Sequence, residues 1–215
     1  MGRFERFGGF SGGIAVALLA TQFVLISHGH ANPASGTYAT TLLEERWRWE
    51  WVTLLRIAGS LALLWFTAGL ASRLRSAGRE HAVPAAVVMA AGTVWAGVWL
   101  LSAVFNSVAI TLAADYHDPV AARTAGALGL ESVLVLTPGI TIVLLAATAL
   151  VAMRAPVFPR PFAYGTLFAA GLRIVLALID WYGPGKLSMG MMDFAFVWLV
   201  AAGTQLARPV LQRPS

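Results

Sequence analysis

The sequence predicts an all-α, polytopic membrane protein: a bundle of six transmembrane helices with both termini on the cytoplasmic side. The 215 residues are 58% hydrophobic and only 12% charged, and their mean hydropathy is +0.73. The apolar residues fall into runs of about 20, which is the length of a helix that crosses a bilayer. Basic residues are distributed unequally between alternate loops, as the orientation rule for membrane proteins requires.

Six apolar runs are separated by polar loops, and together they form one domain over residues 1–215. The predicted spans are about 13–29, 50–73, 84–113, 128–153, 161–181 and 188–207. Thr41 and Glu44 have the spacing of a capping box, so the second helix is expected to begin there, outside the membrane. Gly8 and Gly12 have the small-x-x-x-small spacing that lets helix backbones approach closely, and packing within the chain is the favoured use.

The basic residues orient the predicted bundle. The predicted inner segments hold Arg3, Arg6, Arg73, Arg75, Arg79, Arg154, Arg160, Arg208 and Arg213, and the outer segments hold Arg46, Arg48, Arg123 and Lys186. This excess places both termini in the cytoplasm and the chain in a cell inner (plasma) membrane. The net charge of +5 follows from that topology, so no nucleic-acid partner is predicted. The expected partners are the lipid bilayer, a small-molecule ligand, and a membrane-protein partner or a second copy of the chain.

Charged and amide side chains inside the predicted spans lie towards their outer ends. A charge in hydrocarbon costs about 2.5–3.5 kcal/mol even on insertion-based scales, so it needs a partner or a wet cavity. The pattern predicts a polar vestibule, open to the outside, that binds a small anionic or amphipathic ligand, because arginine binds carboxylate and phosphate groups well. The predicted ligand-binding residues are Arg173, Asp193, Arg56, Glu131, Asp180 and Asn106, with Gln22 somewhat deeper.

Each of these groups also has a purely structural interpretation. Arg173 and Asp193 can form a buried ion pair that only fixes the register of the last two helices. Arg56 can extend its guanidinium to the lipid headgroups. Glu131 and Asp180 can be solvated helix ends. The sequence leaves these alternatives open.

Metal and cofactor sites have little support in the sequence. The chain contains no cysteine, which excludes disulfides and thiolate ligands, and no cofactor is indicated. His28, His30 and His117 are the candidate metal ligands, together with Asp115 and Asp118, because imidazoles and carboxylates bind zinc and related ions. Two histidines in a loop without a fixed third ligand do not by themselves predict a metal site.

The layout of most of the chain resembles one known group of proteins. Phe158-Pro159-Arg160 opens the fifth apolar run, a short outer turn follows, and the last helix ends at Arg208. The first outer loop is long, and the inner loops are short and basic. In these respects the chain resembles uncharacterised six-span bacterial integral membrane proteins classed as a domain of unknown function. The resemblance implies the fold class and no catalytic residue.

Three functions are consistent with the sequence. The first is a non-enzymatic protein whose vestibule binds or transports the ligand. The second is a membrane-embedded enzyme, which could be metal-dependent, with Glu131 or Asp193 as acid or base and Arg173 stabilising negative charge. The third is an accessory subunit of a larger complex, with a lipid-side aromatic face that includes Trp95 and Trp99. The motifs of familiar enzyme classes, such as a glycine-rich phosphate loop or H-E-x-x-H, are absent, so enzymatic activity is undecided.

Overall fold

The computed structural model consists of seven α-helices joined by short connections. It describes the backbone of residues 3–28, 33–155, 158–182 and 188–207, and the side chains of residues 7–26, 33–155, 158–179 and 195–207. In these ranges there is no strand. The helices are α1 (Arg3–His28), α2 (Tyr38–Glu44), α3 (Arg46–Arg75), α4 (Ala82–Ala114), α5 (Pro119–Arg154), α6 (Arg160–Tyr182) and α7 (Ser188–Ala207), and a 3-10 turn (Arg79–His81) precedes α4.

Among the described residues, five helices are long and apolar enough to cross a membrane, which is consistent with a helical membrane bundle. They are α1, α3, α4, α5 and α6. The sixth predicted span coincides with α7, but only its second half, Ala195–Ala207, has described side chains, and that segment is apolar but short. Six crossings and cytoplasmic termini therefore remain predictions. The helices mostly extend beyond the predicted spans, most of all at the starts of α1, which begins at Arg3 rather than near residue 13, and of α5, which begins at Pro119 rather than near residue 128.

Six of the helices are arranged as a closed ring. Helix α1 packs against α3, α3 against α4, α4 against α5, α5 against α6, and α7 completes the ring by contacting both α6 and α1. The short helix α2 lies across α4 and α5, near the start of α3. We call this end of the bundle the α2 end; the orientation rule predicts that it faces outward.

Glycine allows α1 to approach its neighbours closely, as the sequence predicted. A Cβ atom on Gly69 of α3 would lie 2.8 Å from the Cα of Gly8, so the two backbones touch. On the other side of α1, a Cβ atom on Gly9 would lie 2.8 Å from the backbone of α7. Close backbone contact supplies van der Waals packing in lipid, where apolar burial gives helices no drive to associate.

Aromatic side chains fill the middle of the ring. The Phe23 ring of α1 lies 6.1 Å from the Trp99 ring of α4, edge to face, and 6.0 Å from the Phe196 ring of α7. Trp95 and Trp99 are 1% and 2% exposed, so the prediction that they form a lipid-side face is wrong. A helix of the core must bury one stripe, and the two indoles occupy that stripe on α4.

A second apolar cluster lies beneath α2. It consists of Tyr38, Ala39, Leu42, Trp49, Val52, Ala109, Ile110, Ala113, Ala122 and Ala125. The predicted capping box at Thr41 is wrong, because Thr41 lies inside α2 and its hydroxyl donates to the Thr37 carbonyl at 3.0 Å. The helix is interrupted at Glu45 instead, and this interruption lets α2 lie across the end of the bundle while α3 runs along the bundle.

Candidate functional site

A row of buried polar side chains follows one face of α3. Thr53, Arg56, Ser60 and Thr67 are separated by three, four and seven residues, which is the repeat of a single helical face. Arg56 is 9% exposed, and Ser60 and Thr67 are 0% exposed. This face of α3 turns towards α1 and α4, the two helices that flank it in the ring.

Arg56 joins three helices through hydrogen bonds. Its Nε donates to the Gln22 Oε1 of α1 at 2.7 Å. Its Nη1 donates to the Ser102 Oγ of α4 at 2.9 Å and to the Ser102 carbonyl at 3.3 Å. We call these three residues the Arg56 site. Because arginine is always charged in proteins, the site places a cation among neutral oxygen atoms.

No carboxylate balances this cation among the side chains that the structure describes. The ion pairs near the α2 end join Arg46 to Glu50 at 2.8 Å and Arg48 to Glu45 at 2.7 Å, and none involves Arg56. These pairs span one helical turn each and lie in the first turns of α3. Arg56 therefore differs from the other arginines of this helix end in having only neutral partners.

The Arg56 site also has hydrogen-bond donors to spare. Gln22 is 0% exposed, and its Nε2 finds no acceptor among the described residues because its Oε1 is directed at Arg56. The hydrogen bonds of Arg56 leave from Nε and Nη1, and Nη2, which is not fully buried, carries two more N–H groups. A buried donor without an acceptor costs about 1–3 kcal/mol.

Asn106 lies one helical turn from the Arg56 site. Its Nδ2 donates to the Thr53 Oγ1 at 2.7 Å and to the Trp49 carbonyl at 3.1 Å. Asn106 and Ser102 are four residues apart on α4, so they share a face. The structure thus brings Asn106, Arg56 and Gln22 of the predicted polar set into one region, between α1, α3 and α4.

Tyr38 of α2 closes this region at the α2 end. Its side chain is 2% exposed, and its ring rests on Gly126 of α5, where a Cβ atom would lie 2.6 Å from the Tyr38 Cζ. Burial raises the pKa of the Tyr38 hydroxyl to about 12, although the nearby Arg56 cation lowers it in part. Tyr38 is therefore neutral at physiological pH and cannot serve as the counter-charge of Arg56.

Arg173 occupies a different part of the ring. It is 5% exposed, and its Nε donates to the Thr141 Oγ1 of α5 at 3.2 Å. A small cleft beside it has room for about one water molecule. The cleft is lined by Thr141, Leu145, Ala169, Leu172, Arg173, Leu176 and Ala195.

The two predicted arginines thus contact different helices: Arg56 lies between α1 and α4, and Arg173 lies beside α5.

Comparison with family models, with curated proteins and with solved structures gives no match to this chain. The resemblance to six-span bacterial membrane proteins stays a prediction. The description of the site therefore depends on the contacts within this chain alone.

The acidic residues of the predicted vestibule are not brought to Arg56 by any described contact. Glu131 is exposed on α5. The side chains of Asp180 and Asp193 lie outside the described residues, so the predicted pair of Arg173 with Asp193 stays a prediction. The apolar cluster beneath α2 includes Trp49 and Val52, one to two helical turns before Arg56 on α3, and the open vestibule stays a prediction.

The candidate metal ligands do not form a cluster within the described part of the chain. No group of three His, Asp or Glu side chains is placed there to hold a metal ion. His117 is exposed in the loop before α5, with a φ of 52°. Asp118 has another use, because its Oδ1 accepts hydrogen bonds from the backbone of Val120 at 3.1 Å and Ala121 at 2.9 Å, which caps α5. The His28 side chain and His30 lie outside the described residues.

Proposed function

We propose that this chain is a multi-pass membrane protein that binds a small anion between α1, α3 and α4, with Arg56 as the anchoring cation. The observation that carries the proposal is that Arg56, which is 9% exposed as a residue, has a guanidinium whose hydrogen-bond partners are all neutral. A buried charge without a counter-charge strongly destabilises a fold. An anion beside Arg56 removes this penalty, so the folded protein has a free-energy incentive to bind one.

The protein's own groups near the α2 end support an external source of negative charge. Tyr38 stays protonated because burial raises its pKa to about 12. Glu45 and Glu50 are engaged by Arg48 and Arg46, at 2.7 and 2.8 Å. The side chains that remain next to Arg56 are amides and hydroxyls, which solvate an anion without neutralising the cation.

Binding without passage through the membrane is favoured over transport. Beyond Arg56, towards the opposite end of the bundle, Leu63, Phe66 and Leu70 of α3 are all 0% exposed and fill the interior. The hydroxyls of Ser60 and Thr67 donate to their own helix, to carbonyls at 2.6 and 2.9 Å. The interior beyond the site thus has closely packed apolar groups and few polar groups available to an ion.

The proposal is tested by the thermal stability of the purified protein in detergent. The sodium gluconate in the buffer is replaced, at constant ionic strength, by chloride, bromide, formate, acetate or phosphate. We expect at least one of these anions to raise the melting temperature of the wild-type protein in a saturable manner, because a ligand that binds only the folded state stabilises it. The Arg56→Met variant is expected to lose this response.

Two further variants separate loss of the site from loss of the fold. Arg154→Met removes an exposed arginine at the far end of α5 and should keep the full anion response. Arg56→Lys keeps a cation but loses the planar fork that reaches Gln22 and Ser102 together; it should fold and bind the anion at least tenfold more weakly. If Arg56→Met folds and responds to every anion as the wild type does, the cation at this position binds nothing and the proposal is wrong.

A further inference from the structure

We propose that the anion at Arg56 is a halide, with chloride as the ion available to cells. This inference rests on the proposed anion binding and names the chemical class of the ligand. It comes from three properties of the surroundings of Arg56: the kind of hydrogen-bonding group left over, the enclosure of the site, and the aromatic rings beside it.

The polar atoms left over at the Arg56 site are donors. The acceptor atoms are already used, since Gln22 Oε1 accepts from Arg56 Nε at 2.7 Å and Ser102 Oγ accepts from Nη1 at 2.9 Å. Gln22 Nε2 is fully buried and has no acceptor in the described part of the chain. Arg56 Nη2 makes no hydrogen bond there either, but this nitrogen is not fully buried. A ligand that carries its own proton, such as hydrogen phosphate, needs an acceptor that these groups do not offer. A halide only accepts.

Enclosure limits both the size and the charge of the ligand. Gln22 and Ser102 are 0% exposed, and Asn106 is 5% exposed. The cluster beneath α2 covers the site from the α2 end. The cost of taking an ion out of water rises with the square of its charge, so a monovalent ion enters such a site far more readily than a divalent oxyanion. A single atom also needs the least rearrangement of closely packed side chains.

Two aromatic residues lie near Gln22 and Ser102 along α1 and α4 and bring no negative charge to the site. Trp99 is three residues before Ser102 on α4, hence on the same helical face, and Phe23 follows Gln22 on α1. Their rings meet edge to face, with centroids 6.1 Å apart and an angle of 84°. Trp99 is 2% exposed, and its indole Nε1 has no acceptor within the residues that the structure describes. Ring edges carry partial positive charge, so this neighbourhood adds no negative group.

The test compares the affinities of the same anion series in the wild-type protein, measured from the saturation of the thermal shift. We expect chloride and bromide to bind at least tenfold more tightly than acetate or phosphate. Gln22→Leu removes the Nε2 donors and should weaken chloride binding about tenfold. Thr21→Val is the matched control on α1, because the Thr21 hydroxyl donates to its own helix at the Ala17 carbonyl, at 2.7 Å, and its chloride affinity should be unchanged.

The outcomes distinguish this inference from the proposal beneath it. If acetate or phosphate binds as tightly as chloride, and Arg56→Met abolishes that binding, the halide inference is overturned while anion binding stands. If chloride affinity is the same in Gln22→Leu and in the wild type, the free amide donors do not bind the ion and the inference is also overturned. If no anion gives a response that depends on Arg56, both statements fail together.

Discussion

Replacing Gln22 by glutamate tests whether Arg56 lacks a counter-charge. The substitution keeps the shape of the side chain and puts a carboxylate where the amide oxygen lies, 2.7 Å from Arg56 Nε. The protein then carries its own anion at the site. We expect Gln22→Glu to be more stable than the wild type in gluconate buffer and to have lost its response to chloride.

The size of the effect follows from the change in one hydrogen bond and its surroundings. The existing hydrogen bond already has a charged donor and contributes about 1.5–3 kcal/mol, so the gain in Gln22→Glu comes from the counter-charge that the carboxylate adds. Burying the new carboxylate has a desolvation cost of several kcal/mol, which attraction to the guanidinium offsets at this distance. The expected net gain is about 1–2 kcal/mol in the absence of a binding anion, or about 2–8 °C in melting temperature for a chain of this length.

Two variants serve as controls in the same thermal assay. Gln22→Met removes the acceptor for Arg56 Nε and should lower the stability by about 1–3 kcal/mol. The double variant Gln22→Glu with Arg56→Met leaves a buried carboxylate without its cation and should be less stable than either single variant. The reasoning is refuted if Gln22→Glu melts as far below the wild type as Gln22→Met does, because Arg56 would then not be short of negative charge.

Three further predictions address the α2 end and the topology. Gly126→Ala puts a Cβ atom 2.6 Å from the Tyr38 Cζ and should lower the free energy of unfolding by about 1–3 kcal/mol through overpacking. Gly139→Ala, where a Cβ atom would have no neighbour within 4 Å, should leave the stability unchanged. Equal melting temperatures for the two variants would contradict the packing of α2 on α5. Burial raises the pKa of Tyr38 from 10.0 to about 12, so the contribution of Tyr38 to stability is complete below pH 10 and is lost as the pH rises towards 12. In thermal melts at increasing pH, Tyr38→Phe should therefore lose less stability than the wild type. Parallel curves for the two proteins would contradict the burial of Tyr38. Because the chain has no cysteine, a single introduced cysteine can be labelled selectively with a membrane-impermeant maleimide. Tyr116→Cys should be labelled on intact cells, and Ser76→Cys only after permeabilisation. The reverse pattern would contradict the predicted orientation.

The elements of the fold follow from the sequence because hydrophobic length and charge distribution are properties of the chain itself. The spans near 50–73 and 84–113 coincide closely with α3 and α4. Short local signals were less informative. The spacing of Thr41 and Glu44 is that of a helix N-cap. The helix nevertheless begins earlier, at Tyr38, because the Tyr38 side chain on the inner face of α2 is buried. A capping pattern competes with the burial of nearby apolar groups, and here burial decided the helix start.

The membership of the site was only partly predictable. Arg56, Asn106 and Gln22 stood out because polar groups are costly in a membrane span. Ser102 did not, because serine is common in such helices, although its spacing of four residues from Asn106 is a signal that could have found it. Which faces of two helices meet depends on rotation about their axes, which apolar helices specify weakly. For this reason the sequence placed Arg56 and Arg173 in one vestibule, whereas their described partners lie on different helices.

The most direct test of anion binding at Arg56 is anomalous diffraction from crystals grown in sodium bromide, recorded at the bromine absorption edge. A bound bromide should give a difference peak within hydrogen-bonding distance of the Arg56 guanidinium and the Gln22 Nε2, and the peak should be missing in crystals of Gln22→Glu. A wild-type map with no peak beside Arg56, at a resolution that shows the side chains clearly, would contradict the central claim.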